Sequence, residues 1–119
     1  MSSRHGGLAA LAAACAGEQG KYWPVHKALF REPGWDGEAV AARTAIDKIF
    51  AVSDVDTAAA AVCMAEERHR DLIDADVAEA HALRVFGTPV YFINGKVLSG
   101  AHSYETWADI LEQELRTME

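Results

Sequence analysis

Apolar positions recur at helical spacing through most of the chain and give way to a short continuous apolar run only once, near residue 90. Leu8, Leu11, Ala12 and Cys15 share one face of an alanine-rich segment, so a helix is predicted over Leu8 to Ala16, with Gly17 near its end. Tyr22 to Arg31 is a second helix, with Pro24 in the first turn, where a missing N–H is no loss. Glu32 to Gly37 contains Pro33, Gly34 and Gly37 and reads as a loop. From Glu38 to Val52 the stripe Ala42, Ala45, Ile46, Ile49 and Phe50 predicts an amphipathic helix. Ser53-Asp54 is read as the cap of a short small-residue helix, Thr57 to Glu66. A longer helix, Arg68 to Arg84, is expected to turn Leu72, Ile73, Val77, Ala80 and Leu83 inward and its acidic face, Asp71, Asp74, Asp76 and Glu79, to water.

The periodicity then changes. After Gly87-Thr88-Pro89, the run Val90-Tyr91-Phe92-Ile93 is aromatic and β-branched and predicts a strand. Asn94-Gly95 is a strong two-residue hairpin signal, because a type I′ turn needs positive φ at both positions. Lys96 to Ser99 returns as the second strand, and Gly100 ends it. Val90 to Ile93 does not alternate with polar residues, so both faces of this strand are expected to be covered. Ser103 is placed to cap a last helix with Tyr104, Trp107, Ile110, Leu111, Leu115 and Met118 on its apolar face. No internal repeat, low-complexity tract or linker interrupts the pattern, and residues 1–119 read as a single domain.

Gly87-Thr88-Pro89 ahead of a strand, then Phe92-Ile93-Asn94-Gly95-Lys96 and Ser99-Gly100-Ala101, resembles the C-terminal half of DsbA-like thioredoxin-fold proteins. The likeness extends back through Ala13-Ala14-Cys15-Ala16 and Glu18 to Phe30, which resemble the first helices of that family's helical insertion. The resemblance implies a mostly helical α/β chain of truncated thioredoxin-like fold. In that family the Thr-Pro peptide is cis and lies against a Cys-x-x-Cys. The segment carrying that motif would precede Leu8, and the present sequence holds no Cys-x-x-Cys. Residues Thr88 and Pro89 are the positions at which the resemblance implies peptide docking by strand addition.

Composition narrows the partners. A net charge of −7 with no basic stripe argues against nucleic acid and anionic membranes. No apolar run reaches the roughly 18 residues of a membrane span, and no leader core is visible, so a cytoplasmic location is expected, or a periplasmic one if a leader has been removed. Cys15 and Cys63 are isolated from each other along the chain. Each is read as a small buried hydrophobe, and whether they form a disulfide is left open, since the distance between them is not a property of the sequence.

No catalytic residue, metal ligand or cofactor is assigned. His69 and His81 are not at chelating spacing, and Glu66-x-x-His69 lacks the second copy that carboxylate-bridged metal bundles require, so a polar pair at a helix boundary is expected there. His26 matches a position often occupied by His in the resembling family and is expected to be structural. Trp35, in Pro-Gly-Trp-Asp-Gly, is the tryptophan with the best chance of exposure. A hairpin alone leaves a strand edge unpaired, which predicts a homodimer joined through the Val90–Ile93 edge, with a peptide or protein segment as the other partner of that edge. The function expected is a non-catalytic DsbA-like module without reductase activity. The alternative is part of a thiol-disulfide oxidoreductase, or of a kappa-class glutathione-dependent isomerase, whose catalytic half lies elsewhere; a small metal- or ligand-binding helical protein is a third class.

Overall fold

The computed structural model describes residues 6–118. They form α1 (Gly6–Gly17), α2 (Tyr22–Arg31), a single 3₁₀ turn (Pro33–Asp36), α3 (Ala39–Val52), α4 (Thr57–Ala65), α5 (Arg70–Ala82), β1 (Val90–Ile93), β2 (Lys96–Ser99) and α6 (Tyr104–Thr117). Of the described residues, those up to Glu79 form one compact unit and those from Ala80 onward form another. No described helix is long and apolar enough to cross a membrane.

In the first unit α1 is the central element. Ala9, Leu11, Ala12, Ala13, Cys15 and Ala16 are all buried, so this helix is covered on more than one side rather than along a single stripe. Its small side chains let α2, α3 and α4 approach closely. They contribute Val25, Ala28 and Leu29, then Ile46, Ile49 and Phe50, then Ala60, Cys63 and Met64 to one continuous core. The α3 stripe therefore faces inward as its spacing predicts, with Ala45 only half-buried.

Loop chemistry joins these helices. Gly20 has φ of 73° in the turn between α1 and α2, a conformation glycine adopts without a Cβ clash. Gln19 bridges that turn to the start of α4, accepting from the Asp56 backbone N–H at 2.7 Å and donating to the Asp56 carbonyl at 3.1 Å. The α4 cap is Asp56, whose carboxylate accepts from the Ala59 N–H at 3.1 Å. Ser53-Asp54 does not cap α4: Ser53 instead closes α3, and Asp54 sits at φ of 58° in the turn that follows. Trp35 is not the exposed tryptophan. It packs against the core and donates its indole N–H to the Leu29 carbonyl at 2.7 Å, while Trp23 is 64% exposed.

The helix predicted from Arg68 to Arg84 is shorter at both ends, because Glu67 and Arg84 take positive φ. Its apolar face is also less buried than its spacing implies. Only Ile73 reaches the core, and Leu72 and Val77 are exposed. Periodicity marks a face able to be buried; it does not supply the surface that would bury it.

In the second unit β1 and β2 pair antiparallel, with Val90 opposite Ser99, Tyr91 opposite Leu98, Phe92 opposite Val97 and Ile93 opposite Lys96. Asn94 (φ 50°) and Gly95 (φ 82°) make the two-residue turn that this register requires. Ser103 caps α6, accepting from the Thr106 N–H at 3.2 Å. Helix α6 rests on one face of the hairpin: Tyr91, itself partly exposed, meets Trp107 edge-on at 4.6 Å, and Lys96 reaches Glu114. The other face is open, with Phe92 48% and Val97 60% exposed. The expectation that both faces of β1 are covered is thus corrected, since within this unit α6 lies against one face and the described residues leave Phe92 and Val97 exposed on the other. Tyr104, Leu111, Leu115 and Met118 of the α6 region are exposed as well, so the predicted apolar face is only partly used.

Replacing Asp56 by alanine is expected to lower the unfolding free energy by about 1 kcal/mol, the usual cost of a lost helix N-cap. Urea unfolding followed by helical circular dichroism measures it, and Asp54→Asn, which keeps a residue tolerant of the positive φ at that position, should leave the midpoint nearly unchanged.

Candidate functional site

Two places in the molecule gather chemistry. The first is built where α1 and α4 end. Cys15 and Cys63 form a disulfide, with Cα atoms 5.8 Å apart and both residues about 1% exposed. Each is the small buried residue its pattern implies, and the fold adds the bond between them.

Glu18 lies in the turn closing α1, three residues after Cys15, and the chain beyond α4 turns back at Glu67 so that His69 returns over Cys63. Glu18 Oε2 is consequently 2.6 Å from His69 Nε2 and 3.2 Å from Cys63 Sγ. An ionised carboxylate only accepts, so His69 carries its hydrogen on Nε2 in this contact. Arg68 donates through Nη1 to Glu18 Oε1 at 2.8 Å and through Nε to Glu66 Oε2 at 2.6 Å. The His69 hydrogen bond, with the Arg68 guanidinium beside it, holds the Glu18 carboxyl below the usual carboxylate range.

The pairing expected between Glu66 and His69 is replaced: Glu66 takes Arg68, and His69 takes Glu18. Sequence reading missed this constellation because its two halves, Cys15-x-x-Glu18 and Cys63-x₅-His69, meet only when α1 and α4 pack together. The two half-motifs were the available signal.

His26 is half-buried among aromatic rings, stacked on Tyr22 at 5.7 Å and beside Trp23 and Phe30 at 5.3 and 5.1 Å. These ring contacts all lie within α2 itself. His5 lies outside the described residues. His102 contacts the Ser99 carbonyl at 2.8 Å and ties the end of β2 to the start of α6.

The second place is the edge of β1. The Thr88–Pro89 peptide is cis, with Thr88 exposed and Pro89 half-buried. The Gly100 N–H donates to the Pro89 carbonyl at 2.8 Å, extending the hairpin ladder beyond Val90. In a two-residue hairpin the pair flanking the turn exchanges both hydrogen bonds, and such pairs alternate with non-bonded ones. Ile93, Tyr91 and Pro89 therefore point their backbone groups at β2. Val90 and Phe92 point theirs outward. Among the described residues no strand meets that outward edge.

Glu114 locks the hairpin to α6. It is buried, accepts from Lys96 Nζ at 2.7 Å and from Asn94 Nδ2 at 3.3 Å, and both bonds hold its carboxyl below the usual carboxylate range. A buried carboxylate on a face predicted to be apolar is tolerated because two donors satisfy it.

Two measurements check these sites. Removing the disulfide in a Cys15→Ala/Cys63→Ala variant frees a 48-residue separation in the unfolded chain, for which chain entropy predicts a loss of about 2–4 kcal/mol in urea unfolding. A lowered carboxyl pKa stabilises above its unfolded value and loses that contribution as the pH falls through its folded value. The hairpin amide signals in NMR should therefore broaden or shift on acidification below the ordinary carboxylate range, and Glu114→Gln should abolish most of that pH dependence.

The profile of the DSBA-like thioredoxin domain matches residues 4–112. A segment of the Na(+)/H(+) antiporter NhaA of Herminiimonas arsenicoxydans is 32% identical to this chain over 116 residues. That alignment covers 94% of the chain and 17% of the antiporter's length, so the chain corresponds to a small part of this relative. No solved structure matches. The family match spans both units, from the helices around Cys15 to the hairpin and most of α6, and on it the chain belongs to the DSBA-like thioredoxin domain family.

Proposed function

We propose that the chain is a non-catalytic DsbA-like module that receives an extended strand along the outer edge of β1, supplied by a second copy of itself. The carrying observation is that edge: outward N–H and C=O groups at Val90 and Phe92, no strand beside them among the described residues, and Phe92 and Val97 exposed on the adjoining face. Two hairpins meeting at their β1 edges would form a four-stranded sheet about a two-fold axis. Thr88 and Pro89 stand at the entrance of that edge, where the family resemblance implies peptide docking.

The chemistry of the sulfurs supports the non-catalytic reading. A redox dithiol needs an accessible thiolate favoured by a helix N-terminus. Cys15 and Cys63 lie near the C-terminal ends of α1 and α4, where the helix dipole is negative; both are buried, and the Glu18 carboxylate is 3.2 Å from Cys63 Sγ. A buried disulfide of this kind favours an oxidising compartment over the cytoplasm expected from composition.

The antiporter relative favours a second reading. Because the alignment covers 17% of that protein, the strand completing the sheet could come from the remainder of a longer polypeptide. Light scattering after size exclusion, across a dilution series, separates the two: a dimer is expected from self-pairing. Phe92→Pro removes the outward N–H without touching the β1–β2 ladder, and Phe92→Lys charges the edge. Both should shift the dimer toward monomer by about tenfold or more in dissociation constant. A wild-type chain that stays monomeric with a protected Phe92 amide in hydrogen exchange sinks the strand-addition reading; a monomer with a fast-exchanging Phe92 amide sinks only the self-pairing.

A further inference from the structure

Beyond the strand edge, the place where α1 and α4 end gathers sulfur, imidazole and carboxylate donors. Cys15, Cys63 and His69 each present one ligand atom within 4.8 Å of the others. Glu18 Oε2 joins them, 2.6 Å from His69 Nε2 and 3.2 Å from Cys63 Sγ. We propose that reduction of the Cys15–Cys63 disulfide converts this cluster into a tetrahedral site for a zinc-class divalent cation, ligated by Cys15, Cys63 and His69 with Glu18 completing the set.

Donor chemistry selects the ion. Two thiolates, an imidazole and a carboxylate are a zinc-type set, with bonds of about 2.3 Å to sulfur and about 2.0–2.1 Å to nitrogen or oxygen. Ligands on such a tetrahedron lie roughly 3.3–3.8 Å from one another. Cα atoms 5.8 Å apart accommodate that spacing once the sulfurs are unbonded and the thiols turn about χ1. Glu18 and His69, in contact at 2.6 Å, need to part by about 0.7 Å. His69 must give up the Nε2 hydrogen it shows to Glu18 and hold its proton on Nδ1, which the neutral ring allows.

Electrostatics points the same way. Two thiolates, Glu18 and a dication sum to −1, and Arg68, bonded to Glu18 at 2.8 Å, brings the cluster to neutrality. The negative ends of α1 and α4 both lie beside the sulfurs, which disfavours bare thiolates and favours a bound cation. The sulfurs are buried, whereas the side chains of His69 and Glu18 are 26% and 32% exposed, so a metal ion has a path in from that side.

The switch balances as follows. A dithiol reductant attacks one cysteine sulfur as its thiolate, breaking the Cys15–Cys63 bond and forming a mixed disulfide. Its second thiol displaces the protein sulfur and leaves as a cyclic disulfide, so two electrons and two protons end on Cys15 and Cys63. Cation binding then releases both thiol protons, and a small-molecule disulfide, reduced to two thiols by the two electrons it takes up, returns Cys15 and Cys63 to their disulfide and expels the ion. The two states exclude each other: the chain is held by a covalent bond in an oxidising setting and by a metal in a reducing one.

The test uses the full chain, reduced with a phosphine, stripped of metal and titrated anaerobically with Co²⁺, then with Zn²⁺. One equivalent of Co²⁺ is expected, with thiolate-to-cobalt charge transfer and the visible bands of a tetrahedral ion, displaced by one equivalent of Zn²⁺. The oxidised chain should bind none. His69→Ala should keep the charge-transfer band while weakening Co²⁺ binding by at least about tenfold, as loss of a direct ligand exceeds the lower bound for loss of a supporting group. Cys63→Ser should lose about half of the band. Where the reduced chain is unfolded without metal, Zn²⁺ should restore its helical circular dichroism. A reduced chain that shows no thiolate-to-cobalt band, or binds Co²⁺ equally well as His69→Ala, overturns the proposal, as does an unfolded reduced chain that Zn²⁺ leaves unfolded.

Discussion

A helix whose buried face is mostly alanine offers little apolar area per residue, so it can organise a core only if its neighbours come close on several sides. That constraint governs the first unit. Ala12, Ala16 and Ala60 are fully buried, as are the larger Val25, Ile46 and Phe50 that fill the space between helices. The shortest of these helices, α4, has nine residues and is too short to persist alone in water. It is held by three things at once: the core contacts of Ala60, Cys63 and Met64, the Asp56 cap with its Gln19 bridge, and the disulfide to α1. The polar and covalent fastenings lie at opposite ends of α4, which fixes the direction of its axis as well as its position.

The second unit solves a different problem with the same means. A two-stranded hairpin is marginal by itself and needs a face to rest on. Helix α6 supplies one through Tyr91 on Trp107, and a buried carboxylate then fixes the alignment, because Glu114 accepts from both a strand residue, Lys96, and a turn residue, Asn94. An apolar residue at position 114 could fill the space but could not select which residue of the turn lies above it. The register of Ile93 opposite Lys96 and the position of α6 are therefore specified by one side chain.

Much of this was readable in advance wherever local chemistry decides. The bounds of α2, β1 and β2, the Asn94-Gly95 turn and the Ser103 cap follow from propensity, turn geometry and short-range hydrogen bonds, and the structure has them where those rules put them. What was not readable depends on which surfaces meet. Ser53 and Asp54 look as good a cap as Asp56, and only the path of the chain out of α3 decides between them. Leu72 and Val77 have the spacing of core residues and are exposed. Glu114 falls among apolar neighbours on α6 and is buried because Lys96 and Asn94 wait for it. The Glu18–His69–Cys63 contact joins residues from two helix ends, and no window along the chain contains both.

The sulfur pair shows how strongly the reactivity of a cysteine depends on its surroundings. What makes a cysteine reactive is its position on a helix, its exposure and the charge beside it. Here both cysteines sit near C-terminal helix ends, both are buried, and the nearest charged oxygen is an anionic one. Each factor raises the free energy of a thiolate, so the same surroundings that make Cys15 and Cys63 poor nucleophiles make them a durable disulfide. They also define the remaining way to stabilise the reduced pair, which is to place positive charge directly on the sulfurs. Arg68 cannot do so, because both of its described hydrogen bonds go to carboxylates, Glu18 and Glu66. A cation small enough to enter between His69 and Glu18 meets that requirement, which is why the redox state of this unit and its capacity for metal are tied to the same few side chains.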